Sequence, residues 1–221
     1  MRCLICGKEK LDESIIELWN YEDPLCLMCR KKLERIDYKM NYEGYPLEAS
    51  YLYNEAYASA LIQFKECNDE ALKSIFLYGL KEQLRWKYKG YHLVFAPSSI
   101  QKIEKRGFSH LEEIFSELNM PYIDAFEKID ELSQKEKMGK ERKDIVGKIV
   151  MKKGVELPEK IVIVDDVMTT GSTLSACLEA LSEYSGKIKL YTLSIHPLWT
   201  KQKCIIERIM QFYNSIVNQY N

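Results

Sequence analysis

The sequence predicts an α/β protein, a parallel sheet flanked by helices, with a small N-terminal module built on four cysteines. Three observations carry that prediction. Four consecutive β-branched residues, Ile161-Val162-Ile163-Val164, read as a strand buried on both faces, as in a parallel sheet. A helical pattern of Leu174, Cys177, Leu178 and Leu181 follows within a few residues. Cys3-x-x-Cys6 and Cys26-x-x-Cys29 lie far upstream of both.

The chain has 221 residues, enough for one medium domain plus a small module. Its 46% hydrophobic and 29% charged content is that of a globular protein. A formal net charge of −1 gives no global attraction to nucleic acid, so any such contact must rest on a local patch. No apolar run approaches about 18 residues, so no membrane insertion is expected. The start, MRCLICGKEK, lacks the apolar stretch of a signal peptide, and a cytoplasmic location is expected. There cysteines stay reduced and clustered ones bind metal.

Nineteen residues separate the two CxxC pairs, within the spacing of a four-cysteine zinc site. Each pair turns both sulfurs toward one point, and two pairs complete a tetrahedron. Gly7, directly after the first pair, suits the left-handed turn that follows such a knuckle. Four thiolates leave no open position, so the zinc on Cys3, Cys6, Cys26 and Cys29 is expected to be structural. The expected module covers residues 1–36. A short helix flanked by basic residues should end near Arg35.

Leu47 to Tyr53 alternates weakly, as a strand or one arm of a hairpin. Helical spacing begins at Glu55 and takes in Ala58, Leu61 and Ile62. A second helix is expected from Ala71 through Leu84, with Asn68-Asp69 as the turn and a capping side chain. Leu93 to Ala96 is a further buried strand, followed by Pro97-Ser98-Ser99. Ser109-x-x-Glu112 reads as a capping box opening a helix from Leu111 to Leu118.

Ser133 to Lys153 holds eight basic residues and three acids, in a chain that is otherwise acidic. Lys140, Arg142 and Lys143 lie at its centre. Such a segment is a lid that closes on a polyanion, a phosphate-backbone contact, or a solvated loop. Ile149-Val150-Met151 reads as an antiparallel strand at its end. Leu190 to Ile195 is another buried strand. Thr200 to Tyr220 reads as an amphipathic helix, within an expected C-terminal unit of residues 199–221. Cys67, Cys177 and Cys204 are widely spaced and are expected as small buried residues.

The chemistry concentrates in Lys160 to Leu174, KIVIVDDVMTTGSTL. A strand in an open α/β sheet delivers its loop to the carboxyl edge, where ligands bind. Gly171 lets backbone N–H groups approach an oxyanion. Thr169, Thr170, Ser172 and Thr173 add hydroxyl donors. The helix that follows points its free N–H groups and positive dipole end at the same place. These parts make a phosphate cradle. Asp165 and Asp166 would repel a phosphate but suit the vicinal hydroxyls of a sugar. A ribose bearing a 5′-phosphate satisfies both halves. The acids are expected to follow the strand, so that replacing them should spare the fold. A P-loop is excluded, because no Gly-x-x-x-x-Gly-Lys occurs.

This stretch resembles the phosphoribosyl pyrophosphate (PRPP) motif of type I phosphoribosyltransferases. The resemblance implies a phosphoribosyltransferase-type parallel sheet over residues 45–198. It implies that Asp165 and Asp166 hold the ribose hydroxyls, and that Thr169, Thr170, Gly171, Ser172 and Thr173 hold the 5′-phosphate. Ser98 and Ser99 would handle pyrophosphate. Arg106 would add charge-assisted bonds there or lie on the surface. Magnesium would accompany PRPP.

Taken together, the chain is similar to the ComF/ComFC family of competence proteins. The similarity rests on the four-cysteine knuckle, Lys105-Arg106-Gly107-Phe108-Ser109, Gln134 with Arg142, and VDDVMTTGST. The family's Arg-Gly-Phe-Asn-Gln stands here as Arg106-Gly107-Phe108-Ser109-His110. The family implies uptake of transforming DNA, with single-stranded DNA and a ComFA-type helicase as partners. Two functions therefore remain. One is a PRPP-binding protein of DNA uptake whose basic segment handles incoming single-stranded DNA. The other is an active phosphoribosyltransferase that moves ribose 5-phosphate from PRPP to an unidentified acceptor.

Overall fold

The computed structural model describes residues 2–10, 23–129 and 148–200. The expected lid residues Lys140, Arg142 and Lys143 and the expected helix beyond Thr200 lie outside the described residues, as does Cys204.

The elements run α1 (Leu27–Lys32), β1 (Arg35–Tyr42), β2 (Tyr45–Leu52) and α2 (Glu55–Glu66). A 3-10 turn (Glu70–Leu72), α3 (Lys73–Phe76), α4 (Lys81–Lys87) and β3 (His92–Phe95) come next. Then come α5 (Ile100–Arg106), α6 (His110–Ser116), β4 (Tyr122–Ile123), β5 (Phe126–Lys128) and β6 (Ile149–Met151). The last are β7 (Lys160–Met168), α7 (Ser172–Ala180) and β8 (Lys187–Ile195).

Six strands form one sheet in the order β1-β2-β8-β7-β3-β4. Every pairing except β1 with β2 is parallel. β7 sits centrally, and Ile161, Val162, Ile163 and Val164 are wholly buried, as an unbroken apolar run requires. β5 and β6 pair antiparallel as a separate ribbon that packs on α7. Among the described residues no helix is long and apolar enough to cross a membrane.

Several local expectations change. The region read as one helix from Ala71 to Leu84 is broken at Leu77–Leu80, where Gly79 takes φ +70°. β1 went unread because its residues alternate between exposed and half-buried at a sheet edge. Its first residues are bulged, and Asp37 takes φ +45°. The first helix ends at Lys32 rather than near Arg35. Ser109 precedes α6 but its side chain caps nothing. The working cap is Asn54, which accepts from the Tyr57 N–H at 2.9 Å and opens α2. Cys67 is exposed, whereas Cys177 is buried as expected.

The topology creates one special crevice. β3 and β7 are parallel neighbours, yet β3 connects outward to β4 and β7 connects the other way to β8. The loops that leave their carboxyl ends therefore diverge. Such a switch point is where open α/β sheets bind ligands.

Candidate functional site

Both loops named from the sequence leave the sheet at this switch point. Phe95 pairs with Val164, and the Ala96 N–H donates to the Val164 carbonyl at 2.9 Å. Pro97-Ser98-Ser99 and Asp165 to Thr173 thus start side by side.

β7 does not stop before the acids. It runs to Met168, so Asp165 and Asp166 lie within it, 9% and 7% exposed. This corrects the expectation that they follow the strand. Buried carboxylates need partners. One Asp165 oxygen accepts from the Asp166 N–H at 2.8 Å. Asp166 Oδ2 meets the Lys65 ammonium, and His110 Nε2 lies 3.1 Å from the same oxygen. Lys65 comes from the last turn of α2 and His110 from the first residue of α6. Burial pushes the Asp165 carboxyl up to about 7, against the opposing pull of Lys65. Burial lowers the Lys65 ammonium to about 8, though Asp165 works in the other direction.

Arg106 is buried, not a surface charge. Its Nε donates to the Lys65 carbonyl at 2.9 Å, and its Nη1 lies 3.0 Å from His110 Nδ1. Ser98 Oγ is 3.4 Å from the same ring nitrogen. The structure thus joins Ser98 and Arg106 to Asp166 through His110. Ser99 precedes α5, half-buried and without a capping bond. A small cavity of about 150 Å³ adjoins this cluster, lined by Lys65, Glu66, Asn68, Lys102, Lys105 and Arg106. A larger one, about 450 Å³, lies by the knuckle, away from the acids.

The loop after β7 is held from outside. Gly171 takes φ +86° and precedes α7. A Cβ at Gly171 would lie 2.8 Å from Tyr42 Cζ, so glycine is required by both conformation and space. Tyr42 Oη is 2.7 Å from Ser175 Oγ, and the Trp199 indole N–H donates to the Thr169 carbonyl at 2.7 Å. The two rings meet edge to face at 5.7 Å. Thr169, Thr170 and Ser172 stay exposed, Thr173 half so. Thr170 Oγ1 and Ser172 Oγ lie 3.0 Å apart. Sequence reasoning missed Lys65, His110, Tyr42 and Trp199. His110 had one signal, its place directly after the Arg106-Gly107-Phe108-Ser109 run where the resembling family carries Gln.

At the knuckle, the Sγ atoms of Cys3, Cys6, Cys26 and Cys29 all lie within 4.8 Å of one another. Tetrahedral zinc with Zn–S of about 2.3 Å places sulfurs about 3.8 Å apart. Cys6 and Cys26 Sγ are already 3.9 Å apart, so the donor set fits zinc. The turn forms as expected: Gly7 takes φ +68° and its N–H donates to the Cys3 carbonyl at 2.9 Å. Burial opposes the Cys3 thiolate, but the backbone amides of Cys6, Cys26 and Ile5 outweigh it and bring the thiol down to about 6. Burial pushes the Cys29 thiol up.

The chain is 29% identical over 219 residues to the competence protein ComFC of Streptococcus pneumoniae, covering 87% of this chain and 99% of that protein. A crystal structure of a hypoxanthine phosphoribosyltransferase from Staphylococcus aureus aligns with 17% identity and a TM-score of 0.35. That alignment covers 56% of this chain and spans 62% of the other. The phosphoribosyl transferase domain family matches residues 99–219, more than half of the chain; the match includes the whole loop after β7 and begins at Ser99, the last residue of the loop after β3. With the acids and the glycine-led loop at its switch point, the chain belongs to the phosphoribosyl transferase domain family.

Proposed function

We propose that this chain binds PRPP in the crevice between β3 and β7, and serves DNA uptake in a competence-associated role. The observation that carries the ligand reading is the pairing of two buried carboxylates with a phosphate cradle one turn away. Asp165 and Asp166 supply acceptors for the ribose hydroxyls. The loop Thr169, Thr170, Gly171, Ser172 and Thr173 and the start of α7 supply donors for the 5′-phosphate. Ser98 and Ser99 stand where the pyrophosphate would extend, and the cavity lined by Lys65, Lys102, Lys105 and Arg106 supplies positive charge beside it. Magnesium brought with PRPP would neutralise the pyrophosphate oxygens.

The competence role draws on the similarity to ComFC. In this reading residues 1–36 form the zinc module, 45–198 the phosphoribosyltransferase-like domain and 199–221 a C-terminal helix. Lys140, Arg142 and Lys143 form a lid whose positive charge contacts single-stranded DNA, and a ComFA-type helicase acts beside it. DNA binding should then weaken steeply with salt, and alanine at those three positions should flatten the slope.

The family match favours a second reading, an active transferase. Titration calorimetry with PRPP and magnesium, followed by a pyrophosphate-release assay with nucleobases and with DNA, separates the two. Binding without release supports the first reading, and turnover with an acceptor supports the second. No binding to the parent protein contradicts both.

A further inference from the structure

We propose that His110 is a positioning residue for Asp166, acting as a fixed Nε2–H donor that Arg106 holds in that tautomer. This rests on the ribose-binding reading of Asp166 and adds to it a side chain from another helix.

A guanidinium donates hydrogen bonds and accepts none. Arg106 Nη1 lies 3.0 Å from His110 Nδ1, so Nδ1 must present its lone pair. A neutral imidazole with an unprotonated Nδ1 carries its proton on Nε2. Nε2 lies 3.1 Å from Asp166 Oδ2; neither buried atom completes an aligned hydrogen bond as they stand, and a small turn of the ring would align the pair. Charging the ring would turn an N–H toward the guanidinium, and burial with Lys65, Arg106 and Lys102 nearby holds His110 well below its ordinary range.

Arg106 is in turn fixed. Its Nε bonds the Lys65 carbonyl at 2.9 Å, its face lies 5.8 Å from the Phe108 ring centre, and Gly107 ends α5 at φ +85°. The chain of contacts closes on itself. Arg106 holds the Lys65 backbone, the Lys65 side chain meets Asp166, Asp166 meets His110, and His110 returns to Arg106.

Two consequences follow. His110 offers the crevice no lone pair, so it is not a general base. Its work is to hold the Asp166 carboxylate in one orientation, leaving the other acceptor positions for hydroxyls. Glutamine meets the same geometric demand, because its carbonyl accepts from Arg106 while its amide donates to Asp166. Leucine fills similar space and does neither.

The test uses the full chain. Nitrogen-15 imidazole spectra of the unliganded protein should show His110 as the neutral Nε2–H tautomer between about pH 6 and 8, where an ordinary histidine titrates. Calorimetry with ribose 5-phosphate and with PRPP plus magnesium should find His110→Gln within about threefold of the parent and His110→Leu weaker by about tenfold or more. An Nδ1–H tautomer, a titration near the ordinary histidine value, or equal binding by parent and His110→Leu overturns the proposal. So does a His110→Gln protein as weak as His110→Leu. If His110→Leu does not fold, the tautomer and the glutamine variant still decide. A parent that binds neither probe overturns the ribose reading and the ligand half of this proposal. The tautomer then judges the geometric half by itself.

Discussion

The knuckle and the crevice bring polar side chains together by opposite means. At the knuckle, four sulfurs converge from two short turns: Cys3 and Cys29 are buried against the core, while Cys6 is exposed and Cys26 half-buried. A metal on these four sulfurs would add organising energy to that packing. At the crevice, two carboxylates ride on a central, buried strand of the sheet, with Ile163 and Val164 wholly buried just before them. There the sheet supplies the order, and Lys65 offsets only part of the burial of Asp165, whose carboxyl stays raised to about 7. The acids of the crevice are placed by the fold itself.

Among the described residues, the knuckle is tied to the rest of the fold through Arg30 as well as through apolar contacts of Cys3, Leu25, Cys29 and Leu33. Arg30, directly after Cys29, forms a two-pronged pair with Asp23 at 2.8 and 2.6 Å. Its third nitrogen donates to the Ile75 carbonyl at 2.8 Å, and its guanidinium stands 4.9 Å from the Tyr78 ring centre. The contrast predicts that the two sites fail independently.

The largest effect belongs to the knuckle. Cys26→Ser, or a strong chelator, should remove one zinc per chain and with it on the order of 10–16 kcal/mol of local stabilisation. Circular dichroism should show the sheet intact, and elemental analysis should show the metal gone. A freshly purified, reduced parent with no metal contradicts this.

Next comes Asp166→Asn. It removes the carboxylate in contact with the half-buried Lys65 ammonium and leaves Asp165 and Glu66 to offset it, so a loss on the order of 1–3 kcal/mol in denaturant unfolding is expected. Asp165→Asn should behave differently. The native Asp165 carboxyl, raised to about 7, keeps its proton through a range in which an unfolded aspartate has lost it. The folded state then binds more protons than the unfolded state, and stability falls as pH rises toward about 7. Asp165→Asn should flatten that decline in thermal melts taken at acid and at mildly alkaline pH. Equal pH dependence in parent and variant would refute the assignment.

Gly171→Val should sharpen the contrast from the other side. It forces a branched residue into φ +86° against Tyr42, at a cost on the order of 1–3 kcal/mol, and should abolish PRPP binding while leaving zinc content unchanged. The smallest effect is Trp199→Phe. It keeps a ring beside Tyr42 but leaves the Thr169 carbonyl without its indole donor, so about 1 kcal/mol of stability and a few-fold loss of PRPP affinity are expected.

The sequence made one half of each site legible. Cysteine spacing is local, and so is the succession of buried strand, acids, glycine-led loop and helix. What could not be read was whatever arrives from elsewhere in the chain. Lys65 sits 101 positions before Asp166 and reads as an ordinary lysine at a helix end. Without it, ending the strand before the acids was the physically reasonable choice, since unpaired carboxylates are not buried. Tyr42 and Trp199 were silent for the same reason, as they reach the loop from an edge hairpin and from beyond β8. β1 was missed because an edge strand carries half the hydrophobic signal of a central one.

Backbone amide spectra of the full chain, titrated with PRPP and magnesium, test most directly the claim that the switch point is the ligand site. The largest shifts should fall on the amides of Thr170 to Ser175, with smaller ones at Asp165, Asp166 and His110, and none at the four knuckle cysteines. Shifts centred on the knuckle, or no shift anywhere at saturating PRPP, would contradict it.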